Sequence, residues 1–334
     1  MTDPVRSIFD RLLPSRLPEP RTFKAYAPSN IALSKYWGKR DDTLNLPLNS
    51  SVSISLADWG TTTRVSAASD GADGVWLNGE RLAGQSSFAR KVLEFADLFR
   101  RDQPVPLRIV TENTIPTAAG LASSASGFAA LTRALAGAFA LDLTDARLSM
   151  LARFGSGSAS RSLWHGFVRW DRGNAADGTD SFATPLAHVW EDFRIAIVPV
   201  DTGPKDSSSR DGMKHTLATS PLFEAWPKRA EADCALVVSA IEDRDFTALG
   251  ETAEANALAM HATMLAARPA LSYLKPATWD VLDTLWSARR AGLEAYATMD
   301  AGANVKLMFL AQSAGQVAAL FPQASIIEPF AGQD

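Results

Sequence analysis

The sequence predicts an α+β fold in two lobes, and three observations carry that expectation. Strand-like alternation and helix-period stretches mix along the 334 residues without a regular βαβ period. A chain of that length can bury one large or two ordinary cores. A fresh series of strands and helices also starts at Phe193, after the polar, Gly-rich stretch 173–180. The lobe boundary is therefore set near residue 190, giving lobes 1–190 and 191–334.

Residues 1–20 mix Asp3, Arg6, Asp10 and Arg11 with several prolines, which suits a short capping helix and a Pro-rich lead-in rather than a signal peptide. Residues 51–56 and 61–65 alternate as strands. A turn at 70–74 leads into a short strand at 75–77, closed by Asn78-Gly79, a strong hairpin signal. Helical spacing follows at 88–99, then the alternation of Leu107, Ile109 and Thr111. An apolar helix runs from 124 to 139, and another at 148–154 is broken by Gly155-Ser156-Gly157-Ser158. A strand at 166–170 closes the first lobe. The second holds strand 193–200, helices 246–266 and 276–292, strand 304–310, helix 313–320 and strand 324–328. There is no internal repeat and no low-complexity segment.

Composition narrows the function classes. A hydrophobic share of 46% describes a soluble globular chain. A net charge of -4 argues against a nucleic-acid partner, which wants a basic face, but leaves room for local basic clusters around a small anion. The single cysteine, Cys234, excludes an intrachain disulfide and suits a reducing, cytoplasmic setting. The four histidines are scattered, so no zinc spacing arises. The most apolar run, 128–143, is interrupted by Arg133 and Asp142, and no membrane span is expected.

The stretch from Asn113 to Ser126 is the most informative part of the chain. It joins a strand to a helix N-terminus through Pro116, Gly120, Leu121, Ala122, Ser123, Ser124 and Ala125. Such a small-residue loop offers unpaired backbone N–H groups and the positive end of a helix dipole, which together attract a phosphate. Ser123 and Ser124 add hydroxyls for the phosphate or its Mg²⁺. The loop lacks both the Walker and the dinucleotide glycine patterns. From the residues alone it is either a phosphate cradle or an ordinary Ser-capped helix start.

The pattern Pro-x-x-x-Gly-Leu-x-Ser-Ser-Ala at 116–125 resembles the phosphate loop of the GHMP kinase superfamily. Four further segments narrow the resemblance to the diphosphomevalonate decarboxylase branch. They are 29–40 with 46–51, then 155–162, 207–213 and 299–304. Asn256-Ala257-Leu258 and Met260-His261-Ala262 look alike as well, and the likeness runs from about residue 22 to 310. It implies an N-terminal lobe of the ribosomal-protein-S5 domain 2 type, a ferredoxin-like C-terminal lobe, a site between them and a homodimer. It also implies ATP-dependent conversion of mevalonate 5-diphosphate into isopentenyl diphosphate with Mg²⁺, releasing ADP, phosphate and CO₂. A mevalonate 5-phosphate decarboxylase, a mevalonate-type kinase that stops after phosphorylation, and a non-catalytic ligand-binding relative are the alternatives.

The implied roles make chemical sense. A tertiary alcohol is a poor nucleophile, so a base must accept its proton while it is held in line with the γ-phosphate. Asp300, in a Gly-containing turn, is the candidate base; standing alone, Asp-Ala-Gly would read as an Asx turn. The family has proline where this chain has Ala303. Lys35 is the implied cationic partner of Asp300, and Arg161 the bidentate clamp on the departing carboxylate. Tyr36, Lys39, Ser209 and Arg210 are assigned to the diphosphate, and Ser156 and Gly157 to substrate or phosphate. Asn113, Pro116, Gly120, Leu121, Ala122, Ser123, Ser124 and Ala125 are assigned to ATP, with Ser124 on the metal. Trp37, Trp226, Trp279 and His261 read as core, and His165 as a difference outside the chemistry.

Overall fold

A computed structural model of the chain describes residues 3–101, 103–115, 123–201, 203 and 207–331. Helix α1 (Pro4–Leu12) starts at an Asp3 cap, with proline in the first turn where no N–H partner is needed, and buries Phe9. Strand β1 (Phe23–Ser34) then pairs antiparallel with β4 (Ser51–Ala67), and the small hairpin of β2 (Lys39–Asp41) and β3 (Leu46–Pro47) lies between them in sequence. Among the described residues, β4 is the hub of a seven-stranded sheet, pairing with β1, β7 (Leu107–Asn113) and β8 (Phe167–Trp170). The sheet is completed by β5 (Gly74–Leu77), β6 (Glu80–Arg81) and β9 (Ala183–Pro185). Asn78 and Gly79 turn the β5–β6 hairpin at φ 50° and 88°, both positive as a type I′ turn requires.

Residues 51–56 and 61–65, which alternation separates, belong to one strand. β4 bends where Ala57 takes φ 46° and the register with β1 shifts beside Pro28. Gly60 is needed there because a Cβ would meet the Ala27 carbonyl. Helices α2 (Ser87–Arg100), α3 (Ser124–Ala138) and α4 (Asp145–Gly155) cover the sheet, with Phe95, Phe99, Leu131 and Leu135 packed against Val65 and Ile109.

The second sheet is antiparallel in the order β11-β12-β10-β13, from β10 (Phe193–Val198), β11 (Ala295–Met299), β12 (Val305–Leu310) and β13 (Ser325–Ile327). Its helices are α5 (Ser209–Thr219), α6 (Trp226–Asp243), α7 (Phe246–Leu265), α8 (Pro276–Arg290) and α9 (Ala314–Leu320). Alternate residues of β12 enter different cores. Val305, Leu307 and Phe309 join Leu282, Leu285 and Val317 of α8 and α9, while Met308 faces the other way.

That other face is shared between the lobes. Ile31 and Leu33 of β1 and Val52 and Ile54 of β4 pack in one cluster with Ile195 and Ile197 of β10, Val237 of α6 and Met308. One buried core therefore sets the first sheet against the second, and the chain leaves it at Lys35 on one side and Asp300 on the other. Trp37, Trp226 and His261 are buried as the sequence suggests. Trp279 is not: it stands 44% exposed on α8, because the core face of that helix is taken by Thr278, Leu282 and Leu285.

Glu254 of α7 braces β11, the strand that ends just before Asp300. Its carboxylate accepts from Arg289 at 2.7 Å, from the Trp286 indole at 3.0 Å and from the Ala297 N–H at 2.7 Å. Glu254→Ala should lower stability by about 2–4 kcal/mol in urea unfolding, since a buried N–H and an arginine lose their acceptor. A change below about 0.5 kcal/mol would show that the brace contributes nothing.

Candidate active site

The centre of the site is a carboxylate held between two lysines. Asp300 sits in the tight turn between β11 and β12, where the Gly302 N–H bonds back to its carbonyl at 2.7 Å. Lys35 Nζ donates to Asp300 Oδ1 at 2.8 Å, and Lys306 Nζ lies 3.3 Å from Oδ2. Both lysine side chains are almost fully buried, whereas that of Asp300 keeps 37% of its surface open towards the cleft. Burial by itself would raise the Asp300 carboxyl; the two ammonium groups outweigh it and hold the acid well below the ordinary carboxylate range. Burial lowers Lys35 to about 8, opposed by Asp300 and reinforced by Lys306 and Arg161.

Lys35 is fixed from three sides. Its N–H donates to Asn256 Oδ1 at 2.8 Å, its carbonyl accepts from Asn49 Nδ2 at 2.8 Å, and its ammonium also donates to the Ala32 carbonyl at 2.8 Å. Asn256 is oriented in turn by Asp233 at 2.9 Å. Helices of the second lobe thus set the backbone of a first-lobe residue. His261 Nε2 donates to the Asp300 carbonyl at 3.1 Å; burial, then Lys35, push its ring down to about 4, so it stays neutral.

Arg161 ends a 3₁₀ turn, Gly157–Arg161, rather than following a loose Gly-Ser loop. It bonds the Ser51 hydroxyl and reaches Asn30 Oδ1 at 3.5 Å. Burial lowers it to about 10, with Asp300 opposing. Arg161 and Tyr36 line the cavity, and among the described residues Arg161 Nε and Tyr36 Oη are buried without a hydrogen-bond partner. The Tyr36 ring lies over Gly157, where an added Cβ would come within 2.8 Å of it. Gly157 therefore makes room for Tyr36, and burial pushes that phenol up from its ordinary value.

At the far end, Lys39 follows a turn at Gly38, whose φ is 102°, so Lys35 and Lys39 are not on a helix. Asp42 lies 3.6 Å from Lys39 and 3.6 Å from Lys214. Burial, then the nearby Arg210, lower Lys39. Ser209 and Arg210 open α5, capped by Ser208. Both residues therefore stand in the first turn of a helix.

Asn113, Ser123, Ser124, Ala125 and Ser156 line the same cavity as Lys35, Tyr36, Lys39, Gly157, Arg161, Ser209, Arg210, Asp300 and Lys306, within a volume of about 750 Å³. That is the size class of a cofactor or small-molecule site. Pro116, Gly120, Leu121 and Ala122 lie outside the described residues. Among the described residues no side chain caps α3, so its first N–H groups suit an anion. The Ser124 and Ser156 hydroxyls lie 3.5 Å apart. Among the described residues no three acids, histidines or cysteines gather as a metal site. This donor set fits a Mg²⁺ that arrives with phosphates and keeps few protein ligands.

Comparison with known proteins decides the family. The Diphosphomevalonate decarboxylase-like N-terminal domain matches residues 27–183, and the Mevalonate 5-diphosphate decarboxylase C-terminal domain matches 195–330. The chain belongs to the diphosphomevalonate decarboxylase family. The diphosphomevalonate decarboxylase of Aspergillus fumigatus is 40% identical over 319 residues, covering 87% of this chain and 78% of the relative. That of Candida albicans is 40% identical, covering 85% and 83%. The crystal structure of mevalonate diphosphate decarboxylase from Staphylococcus aureus superposes with a TM-score of 0.86 at 38% identity, covering 92% of this chain and 95% of that one. MDDEF in complex with MVAPP, AMPPCP and magnesium gives 0.86 at 38% identity, covering 92% and 98%. The fold is accordingly the α+β fold of the GHMP kinase superfamily.

Within this decarboxylase family site, the structure adds residues that no motif marks out. Lys306 is the main one. Its only sequence signal is a lone charge in the apolar run from Val305 to Leu310. Phe88, Val92, Phe128 and Leu131 form an apolar arm of the cavity beside α2 and α3. Their helical spacing marks them as core, and nothing local shows that they border a cavity. His165 stacks on Tyr26 at 6.0 Å between ring centres and is not among the residues lining the cavity.

Because the Lys35 ammonium loses its charge as pH rises, a ¹³C-lysine NMR titration of the ligand-free protein should show it deprotonating near pH 8. It should be charged below that pH and neutral above it. A midpoint above about 10, the ordinary lysine range, would contradict the buried geometry.

Proposed function

We infer that this protein decarboxylates mevalonate 5-diphosphate with ATP, giving isopentenyl diphosphate, ADP, phosphate and CO₂. The observation that carries the reading is the meeting of Asp300, Lys35 and Arg161 in one cavity of a chain that belongs to this family along nearly its whole length. The reading also divides the chain near residue 190, between an ATP-binding lobe, 1–190, and a ferredoxin-like lobe, 191–334. A cytoplasmic setting suits the unpaired, buried Cys234, and the homodimer rests on family resemblance.

Asp300 is read as the base. Its open face meets the tertiary hydroxyl, whose oxygen attacks the γ-phosphorus while ADP leaves and the proton passes to the carboxylate. Lys35 balances charge developing on the phosphoryl oxygens. In the second stage the carbon–oxygen bond to phosphate breaks with its electron pair. The pair from the carbon–carboxylate bond then forms the alkene, releasing CO₂. Arg161, which lines the cavity, would align that carboxylate through its planar guanidinium fork, a geometry lysine could not copy.

Tyr36, Lys39, Ser209 and Arg210 form the basic, hydroxyl-bearing end that suits a diphosphate, supported there by Gly157 and Ser156. The α3 end and the apolar arm beside Phe88 and Val92 suit ATP, with Asn113, Ser123, Ser124 and Ala125 nearest the phosphates. Ser124, with Ser156, would hold Mg²⁺, which when bound neutralises phosphate charge.

With ATP, Mg²⁺ and mevalonate 5-diphosphate, CO₂ and ADP should form one to one; ADP without CO₂ would mean a kinase, and a higher kcat/KM for mevalonate 5-phosphate would change the substrate. Asp300→Asn should lower kcat by about 10² to 10⁴ with substrate affinity within a few-fold. Turnover like the wild type would remove Asp300 from the mechanism. Arg161→Gln should lower kcat/KM by about 10- to 1,000-fold, the worth of a buried charge-assisted pair, and an unchanged value would exclude the clamp.

A further inference from the structure

We propose that Lys306 is a positioning residue for the reaction, pinning Oδ2 of Asp300 while Lys35 pins Oδ1 and tying the two ends of the 300–304 turn together. The inference rests on Asp300 acting as the base.

A single ammonium on one oxygen leaves a carboxylate free to swing about its Cβ–Cγ bond. Two ammonium groups, one per oxygen, fix its plane. Here they come from different sheets: Lys35 follows β1 of the first, and Lys306 stands in β12 of the second. Lys306 is 3% exposed and shares a strand face with Met308, which packs in the core between the lobes. A charge so buried needs an acid beside it, and Asp300 lies 3.3 Å away.

The same ammonium lies 3.3 Å from the Asn304 carbonyl, so one side chain spans the turn from residue 300 to residue 304. This matters because Ala303 gives the turn no proline rigidity. Other braces include the Gly302 N–H and His261 on the Asp300 carbonyl, the Thr278 hydroxyl on the Ala303 carbonyl at 2.9 Å, and the N–H groups of Val200 and Asp201 on Asn304 Oδ1 at 2.7 and 2.9 Å. None of them touches the Asp300 carboxylate.

The charged and titratable groups facing Asp300 are Lys35 beyond β1, Lys306 on β12, Arg161 on the 3₁₀ turn and neutral His261 on α7. Removing Lys306 leaves the acid buried with fewer cations, so its carboxyl rises and the ionised form is lost at a higher pH. In Lys306→Met, kcat should fall about tenfold or more while KM for mevalonate 5-diphosphate and for ATP stays within about threefold, the pattern of an interaction felt at the chemical step. The acid limb of the kcat profile that Asp300 sets, which lies below the ordinary carboxylate range in the wild type, should move up towards that range by about one pH unit or more.

Lys306→Gln keeps an N–H for the Asn304 carbonyl and should shift the limb as Met does. Lys306→Arg should return it towards wild type. A merely structural lysine would lower Tm and leave the limb in place. An unmoved acid limb in either folded neutral variant, or kcat within about twofold of wild type, overturns the proposal. Asp300→Asn separates the two ideas: full turnover there sinks the base itself, whereas a dead Asp300→Asn beside a normal Lys306→Met sinks only the second clamp.

Discussion

The structure depends on keeping one ionised carboxylate inside protein while one side of it stays open. Burying an acid and two lysines is costly unless each is paired, and here the pairing crosses the join between the lobes. The shared core of Ile31, Leu33, Ile195 and Met308 makes that possible by fixing the two sheets against each other. The polar network behind Lys35 depends on the same join, since Asn256 and Asp233 belong to α7 and α6 while Lys35 and Asn49 belong to the first lobe. Fold and site are thus one problem: the lobes pack so that the ions meet.

The clamp has a chemical consequence. A carboxylate held well below its ordinary range is a weak base, which would be a handicap if the alcohol had to lose its proton first. Phosphoryl transfer passes through a loose transition state, and the attacking hydroxyl becomes strongly acidic only as its oxygen bonds phosphorus. With Asp300 as the proposed base, a weak base in the right place then suffices. Its more important property is that it stays ionised. Lys35, Lys306 and Arg161 also outnumber Asp300, leaving a cationic pocket that awaits an anionic substrate.

Sequence made the order of most elements legible, because amphipathic helices such as α2 and the Asn78-Gly79 hairpin announce themselves locally. It was silent where burial erases periodicity. All five residues of β11 are buried, so no alternation survives, and the second half of β1 is hidden for the same reason. The apolar stripe of α6 runs through Ala230, Cys234, Val237 and Ile241 among many charges and small residues. The motif residues were legible because each sits in a short, distinctive string, and their described members line one cavity. Lys306 was not, since a lysine in a strand acquires meaning only when Asp300 is seen opposite it. Trp279 failed for the converse reason: size and aromaticity suggest burial, but helix phase points it outward.

The most direct test is a crystal structure of the protein with mevalonate 5-diphosphate and a non-hydrolysable ATP analogue. An Asp300 oxygen should lie within about 3 Å of the tertiary hydroxyl, with Arg161 on the substrate carboxylate and both lysines still on Asp300. A substrate bound with that hydroxyl turned away from Asp300, or with its carboxylate at the Lys39 end, would contradict it.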